Sequence, residues 1–228
     1  IITSNLWSSE LSKLTSNAFL AQRISSINSI SSICEVTGAD VSEVSNAVGL
    51  DQRIGTKFLS AGPGFGGSCF KKDILNLVYL SNYYGLTEVA NYWEQILKIN
   101  SWQMKRISKL VVEKLFGTVA LKKIVILGFA FKSNTNDTRE SPSIYVVKDL
   151  LENGAEVIIN DPKVKSTQIE KDLNRKENLN DLSGEIGVWH YSNDIYSAVK
   201  NADAIIVMTE WDQYKKLDWK RISNSMRA

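Results

Sequence analysis

Residues 87–116 contain neither glycine nor proline, and a few positions later the chain runs into Lys123-Ile124-Val125-Ile126-Leu127-Gly128, an apolar stretch closed by glycine. That junction constrains the fold more than any other feature. The first run predicts one long helix, and about thirty residues at about 1.5 Å each span about 45 Å. This exceeds a compact domain of such a chain, so the helix is expected to bridge domains or subunits. The second run is short and continuously apolar, as in a strand covered on both faces of a parallel sheet. The sequence therefore predicts an all-α domain over 1–117 and an α/β domain over 118–228.

Upstream of the junction every signal is helical. Leu6 to Val36 lacks glycine and proline, with Ile24, Ile27, Ile30 and Ile33 at helical spacing, and Thr37-Gly38-Ala39 breaks the run. Asp40 opens a short helix with Glu43 three residues on, in capping-box order, and Gly49 closes it. Residues 51–68 hold Gly55, Gly62, Pro63, Gly64, Gly66 and Gly67 and read as a loop, followed by a helix over Lys71–Tyr84.

Downstream the pattern alternates. Ser141-Pro142 is an N-cap with proline in the first helical position, opening a helix to Asn153 that Gly154 stops. Glu156–Asn160 reads as a strand closed by Asp161-Pro162, Asp194–Asn201 as a helix, and Ala204–Met208 as another buried strand. Strand, helix, strand, helix, strand is the order of a doubly wound, Rossmann-like parallel sheet. Residues 163–187, with mixed charges and no long apolar run, are expected to lie at the surface, and the sequence assigns them no element.

Composition narrows function. The 228 residues carry a formal net charge of +2, with 43% hydrophobic and 23% charged residues. That balance does not point to nucleic acid or an anionic membrane as partner, and no apolar run reaches the roughly 18 residues of a membrane span. Cys34 and Cys69 are too few for a disulfide framework and read as free thiols, which points to the cytoplasm. The one histidine, His190, excludes a histidine-based metal cluster, so no metal is expected. The absence of an initiating Met before Ile1, and the ending at Ser225-Met226-Arg227-Ala228, suggest a piece of a longer chain without a signal peptide.

Chemistry concentrates in one stretch, Phe58-Leu59-Ser60-Ala61-Gly62-Pro63-Gly64-Phe65-Gly66-Gly67-Ser68-Cys69-Phe70-Lys71-Lys72-Asp73. Glycines allow close approach of backbone N–H groups to an oxygen-rich ligand. A cysteine opening a helix has its thiolate favoured by the helix N-terminus. Lys72 and Asp73, three and four residues on, share its face. Cys34, on an apolar helix, reads instead as a small core residue. Lys13 and Asn17 are four apart on the first helix, beside Leu14, Ala18 and Ala21. Lys13 either lays its stem along that apolar face or serves as an oxyanion partner for an intermediate at Cys69.

Five segments then carry a resemblance: Trp7–Leu14, Asn17–Arg23, Gly64–Phe70, Gly128-Phe129-Ala130-Phe131-Lys132 and Asp137–Ser141. They are similar to the animal-type UDP-glucose 6-dehydrogenases of the UDP-glucose/GDP-mannose dehydrogenase family, and the likeness extends over the whole chain. The related UDP-N-acetylmannosamine dehydrogenases typically carry histidine where Ser68 stands. The resemblance implies a central helical dimerisation domain and a truncated C-terminal UDP-binding domain. It further implies that an N-terminal NAD-binding domain is missing, in keeping with the absence of G-x-G-x-x-G. Without that fingerprint, Asp161 at a strand end reads as structural.

The family reaction oxidises the sugar C6 alcohol to a carboxylate with two NAD+. By resemblance, Cys69 traps the aldehyde as a thiohemiacetal that becomes a thioester. Lys13 and Asn17 contact the sugar and stabilise oxyanions or water, and Asp73 helps place the hydrolytic water. Leu14, Phe58, Ser60, Gly62, Phe65, Gly66, Phe131 and Lys132 fall at substrate positions, and Arg53 at one that reaches a neighbouring subunit's substrate. Cys69, Lys72 and Arg139 fall on the cofactor side. Arg53, Lys132 and Arg139 on their own would pass for solvated surface charges. Two departures stand out: Ser60 occupies a place where the animal enzymes have lysine, and Lys71 one where close relatives have a neutral residue. The implied partners are UDP-glucose and a second copy of the chain, with a higher homo-oligomer open. The competing readings are a GDP-mannose 6-dehydrogenase and a non-catalytic nucleotide-sugar-binding or dimerising module.

Overall fold

The computed structural model describes residues 5–177 and 187–227. The chain forms two compact units, Ile1–Gln103 and Met104–Ala228. In the first, α1 (Leu6–Thr37) starts at Asn5, whose side chain accepts from the Ser8 N–H, and ends where Gly38 turns left-handed at φ 80°. Helix α2 (Val41–Gly49) is capped by Asp40, and its carboxylate takes the Ser42 N–H. Helices α3 (Phe70–Tyr83) and α4 (Thr87–Lys114) follow the glycine loop.

Small residues let these helices meet. Ala18 and Ala21 on α1 are fully buried and pack with Leu14, Phe65, Ile74, Leu77 and Ile96 in a compact core. The same unit leaves Trp7, Phe19, Tyr79, Tyr83, Tyr84 and Tyr92 exposed. Contacts join several of them at the surface: Trp7 meets Tyr84, Tyr79 meets Tyr83, and Phe19 stacks on Trp93.

The units divide inside α4, earlier than residue 118. Past Met104, α4 turns Ile107, Val111, Val112 and Leu115 onto the core of the second unit, so its last turns belong there. That unit contains β1 (Lys123–Leu127), α5 (Pro142–Glu152), β2 (Glu156–Asn160), α6 (Ser166–Leu173), β3 (Val188–Tyr191), α7 (Ile195–Ala198), β4 (Ala204–Val207), α8 (Asp212–Lys215) and α9 (Trp219–Ser225). The sheet is parallel, in the order β3-β2-β1-β4. Leu127 at the end of β1 is in register with Asn160 on one side and Val207 on the other. Ile124, Val125, Ile126 and Leu127 have no exposed surface, as expected of a central strand with both faces covered.

To residues 163–187 the sequence assigns no element. They contain α6, which buries Ile169 and Leu173, one turn apart, among charged neighbours. Two apolar positions four residues apart suffice to dock a short helix, a stripe too narrow for an apolar-run criterion. Residues 178–186 lie outside the described part of the chain. No described helix is long and apolar enough to cross a membrane.

Candidate active site

Cys69 stands at the entrance of α3 with its side chain exposed. The loop reaches it through Gly64 and Gly67, at φ 122° and 84°, a backbone region that side chains disfavour. The Ser68 hydroxyl lies 3.8 Å from the sulfur. The Cys69 carbonyl accepts the Asp73 N–H, the first turn of the helix, which brings Asp73 round to the same face.

The Asp73 carboxylate is 1% exposed. It accepts from Lys13 Nζ at 2.9 and 2.7 Å and from Asn17 Nδ2 at 2.5 Å. Lys13 and Asn17, four apart on α1, thus converge on one acid of α3. Burial opposes ionisation of Asp73, but the hydrogen bonds from Lys13 and Asn17 and the charges of Lys13 and Lys72 prevail, holding its carboxyl below the usual range. The Lys13 ammonium is correspondingly held above its ordinary value, chiefly by its hydrogen bond to Asp73, with smaller attractions from Asp73, Cys69 and Glu10. The arrangement is a fixed cation and an amide donor beside an exposed thiol. It suits stabilisation of negative charge developing on an oxygen near that sulfur.

The other residues singled out by the sequence divide into three kinds. Leu14 and Phe65 put their side chains into the core, at 6% exposure each, and Gly66 is buried. Phe58 and Ser60 are exposed, Phe58 with the unusual φ of 61°. Arg53 is exposed and held by Asp51, with Nη2 to Oδ2 at 2.6 Å. Arg139 repeats that geometry in the second unit, two residues after Asp137, with Nη2 to Oδ2 at 2.7 Å. Lys72 is exposed in the first turn of α3.

Sequence reasoning missed the side chains that hold the loop. Asn100 Oδ1 accepts the Phe65 N–H at 2.8 Å and its Nδ2 donates to the Phe65 carbonyl at 3.0 Å. Asn28 Oδ1 accepts the Gly62 N–H at 2.8 Å, and Gln103 Nε2 donates to the Gly62 carbonyl at 2.9 Å. The Arg23 guanidinium spans the carbonyls of Ile54, Gly55 and Lys57. The available signal was the polar interruption of a buried helix face by Asn28, Asn100 and Gln103.

In the second unit, β1 and β4 are neighbours whose connections leave in opposite directions, the switch point where open α/β sheets bind ligands. Gly128 lets these loops touch: a Cβ there would lie 2.4 Å from Thr209 Cβ and 2.7 Å from the Thr209 nitrogen. Asp161, at the end of β2, shapes the β1 loop. Its carboxylate accepts the N–H groups of Phe129, Ala130, Lys163 and Val164 and the Trp211 Nε1–H. Beyond this anchor Phe131 is half-buried, and the exposed Lys132 places its Nζ 5.4 Å from the Phe131 ring centre.

Comparison with known proteins bears on both units. Residues 7–102 match the central domain of the UDP-glucose/GDP-mannose dehydrogenase family, and residues 125–228 match its UDP binding domain. The chain is 53% identical over 227 residues to a UDP-glucose 6-dehydrogenase of Caenorhabditis elegans, covering 100% of the chain and 47% of that protein. It is 55% identical over 226 residues to one of Drosophila melanogaster, covering 99% of the chain and 48% of that protein. The structure of a UDP-glucose dehydrogenase from Pyrobaculum islandicum superposes with a TM-score of 0.78 at 34% identity, covering 92% of this chain and 45% of that one. The chain spans about half the length of the curated relatives it matches.

Proposed function

The chain belongs to the UDP-glucose/GDP-mannose dehydrogenase family, and from that premise we propose that it carries the cysteine and UDP-binding parts of a UDP-glucose 6-dehydrogenase. The observation that supports this most is the buried Asp73, which gathers Lys13 and Asn17 beside the exposed Cys69.

In this reading the C6 alcohol of UDP-glucose loses a hydride and a proton to become an aldehyde. The Cys69 sulfur adds to that carbon, and the new oxyanion takes its stabilisation from Lys13 and Asn17. Loss of a second hydride together with the hydroxyl proton turns the thiohemiacetal into a thioester. Water, placed with the help of Asp73, then breaks the C–S bond, releasing the carboxylate and returning the thiol. Covalent capture keeps the aldehyde from escaping between the two oxidations. The hydride acceptor is NAD, which supplies the redox chemistry when bound. Lys72 and Arg139, both exposed cations, fit its phosphates. The sheet of the second unit does not fit its ribose, because Asp161 is already filled by five N–H donors. Phe131 and Lys132 at the switch point suit a base and a phosphate of UDP, and in the helical unit the exposed Phe58 and Ser60 remain open to a sugar, whereas Leu14 and Phe65 are core side chains, Gly66 is buried and the backbone groups of Gly62 and Phe65 are already bonded.

The exposed aromatics of the first unit suit a buried interface with a second copy of the chain, which would also carry Arg53 to the partner's substrate. The reading places the reaction in the cytoplasm, where Cys69 stays reduced.

Cys69→Ser in the full-length gene product decides the central point. UDP-glucose should still bind, by calorimetry, with its affinity kept within about threefold, while UDP-glucuronate formation falls at least about a thousandfold. Full conversion by the serine variant would remove the thiol from the mechanism. Tighter binding of GDP-mannose than of UDP-glucose in the same titrations would favour the GDP-mannose reading instead.

A further inference from the structure

The glycine loop before Cys69 has no strand or helix to bond with, yet the four backbone polar groups of Gly62 and Phe65 are all satisfied. They are taken by the carboxamides of Asn28 on α1 and of Asn100 and Gln103 on α4. Asn28 is fully buried, Asn100 is 6% exposed and Gln103 3%. A carboxamide is the side chain suited to this task, since it offers one acceptor and two donors without charge. Asn100 uses both ends on one residue, reproducing the pattern of a neighbouring strand. The Gly62 N–H requires an oxygen, which fixes the orientation of Asn28 and leaves its Nδ2 buried with no partner. Leucine would fill a similar volume without that cost, so packing alone does not account for an amide at position 28.

We propose that Asn28, Asn100 and Gln103 are positioning residues for Cys69: a clamp of three buried carboxamides that fixes the loop backbone at Gly62 and Phe65 and thereby aims the thiol at its donors. This rests on the proposed role of Cys69. Downstream, the sulfur is located by α3, whose first turn starts at its own carbonyl. Upstream, it is tied to the body of the unit at Phe65, whose ring is buried against Phe70 with centroids 5.6 Å apart. Between the two anchors lie Gly66, Gly67 and Ser68. Two glycines in so short a span would let the thiol wander if the upstream anchor were loosened.

Gln103→Met and Asn100→Asp test the clamp in the full-length gene product. Gln103→Met removes one donor from the Gly62 carbonyl. Asn100→Asp keeps the acceptor for the Phe65 N–H and loses the donor to its carbonyl. With UDP-glucose and NAD+, kcat per folded site should fall about tenfold to a hundredfold while KM for UDP-glucose stays within about threefold, since small misplacements of a nucleophile act on the chemical step. Without substrates, alkylation of Cys69 by iodoacetamide at pH 7 should slow by about threefold or more, because a loop loosened at its upstream anchor lets the sulfur turn away from the exposed place it holds. Purely structural amides would lower the melting temperature and the number of folded sites but leave both rate constants, expressed per site, in place. Either rate constant within about twofold of the parent would overturn the proposal. If Asn100→Asp does not fold, Gln103→Met decides alone. A parent that fails to oxidise UDP-glucose, with alkylation still slowed in the variants, would refute the proposed function and leave the clamp standing.

Discussion

Each unit of the chain buries an aspartate almost completely, and the two do opposite things. Asp161 in the sheet unit spends its carboxylate on N–H groups of its own neighbourhood, four from the backbone and one from Trp211. Asp73 in the helical unit spends its carboxylate on two side chains from another helix, Lys13 and Asn17. The first arrangement freezes two loops and leaves nothing for a ligand. The second holds a cation and an amide one helical turn from an exposed thiol while Lys13 keeps 58% of its side chain open to solvent. A buried acid fixes a fold when its partners are main chain, and it holds polar groups in place at the surface when its partners are side chains that still reach solvent. The cores differ in the same sense: the central strand β1 is covered on both faces, whereas the helical unit displays aromatics at its surface.

The contrast is most directly broken at Asp161. Asp161→Ala strands several buried donors together, so urea unfolding of the sheet unit should show a loss of at least about 4 kcal/mol. A loss under about 1 kcal/mol would mean that water replaces the carboxylate. Gly128→Ala should cost about 3 kcal/mol in the same measurement, because its Cβ meets Thr209 and its backbone sits at φ 98°. Asp73→Asn should behave differently: about 1 kcal/mol or less of stability, since the Lys13 partner is solvent-screened, but a fall in kcat/KM of about a hundredfold or more. Equal stability losses at Asp73 and Asp161 would erase the distinction. The smallest effect is in pH. The Asp73 carboxyl is depressed in the folded state, so its pairing supports stability above the ordinary carboxylate value, near about 4, and that support disappears as pH falls through the depressed value. Lys13 is raised, so its share is present below about 10.4 and lost as pH climbs through the raised value. Stability of the parent relative to Asp73→Asn should therefore be level between those limits and shrink at both ends.

Much of the fold was legible in local chemistry. Gly38, Asp40, Ser141-Pro142 and Gly154 mark helix ends through caps that act within a few residues. The buried strands β1 and β2 announce themselves by continuous apolar runs; β4 has such a run too, but contrary to expectation it is only partly covered, with Val207 exposed. Strand β3 and the short helices α6, α8 and α9 were not legible, because each buries only one or two side chains and so shows no apolar run or period. At the candidate site, Cys69, Lys72 and Asp73 could be read together from helical spacing. That Lys13 and Asn17 meet Asp73, and that Asn28, Asn100 and Gln103 seize the loop, could not, since those partners lie 34 to 60 residues apart in sequence.

By itself the sequence settled the class of each unit, the ends of the longer helices and the nucleophile candidate, all consequences of backbone conformation and burial period that act over a few residues. Folding settled the partners of Asp73, the saturation of Asp161 and the posture of the glycine loop. Those depend on which groups share a desolvated volume, and hydrogen bonds and Coulomb forces there follow distance in space rather than separation along the chain.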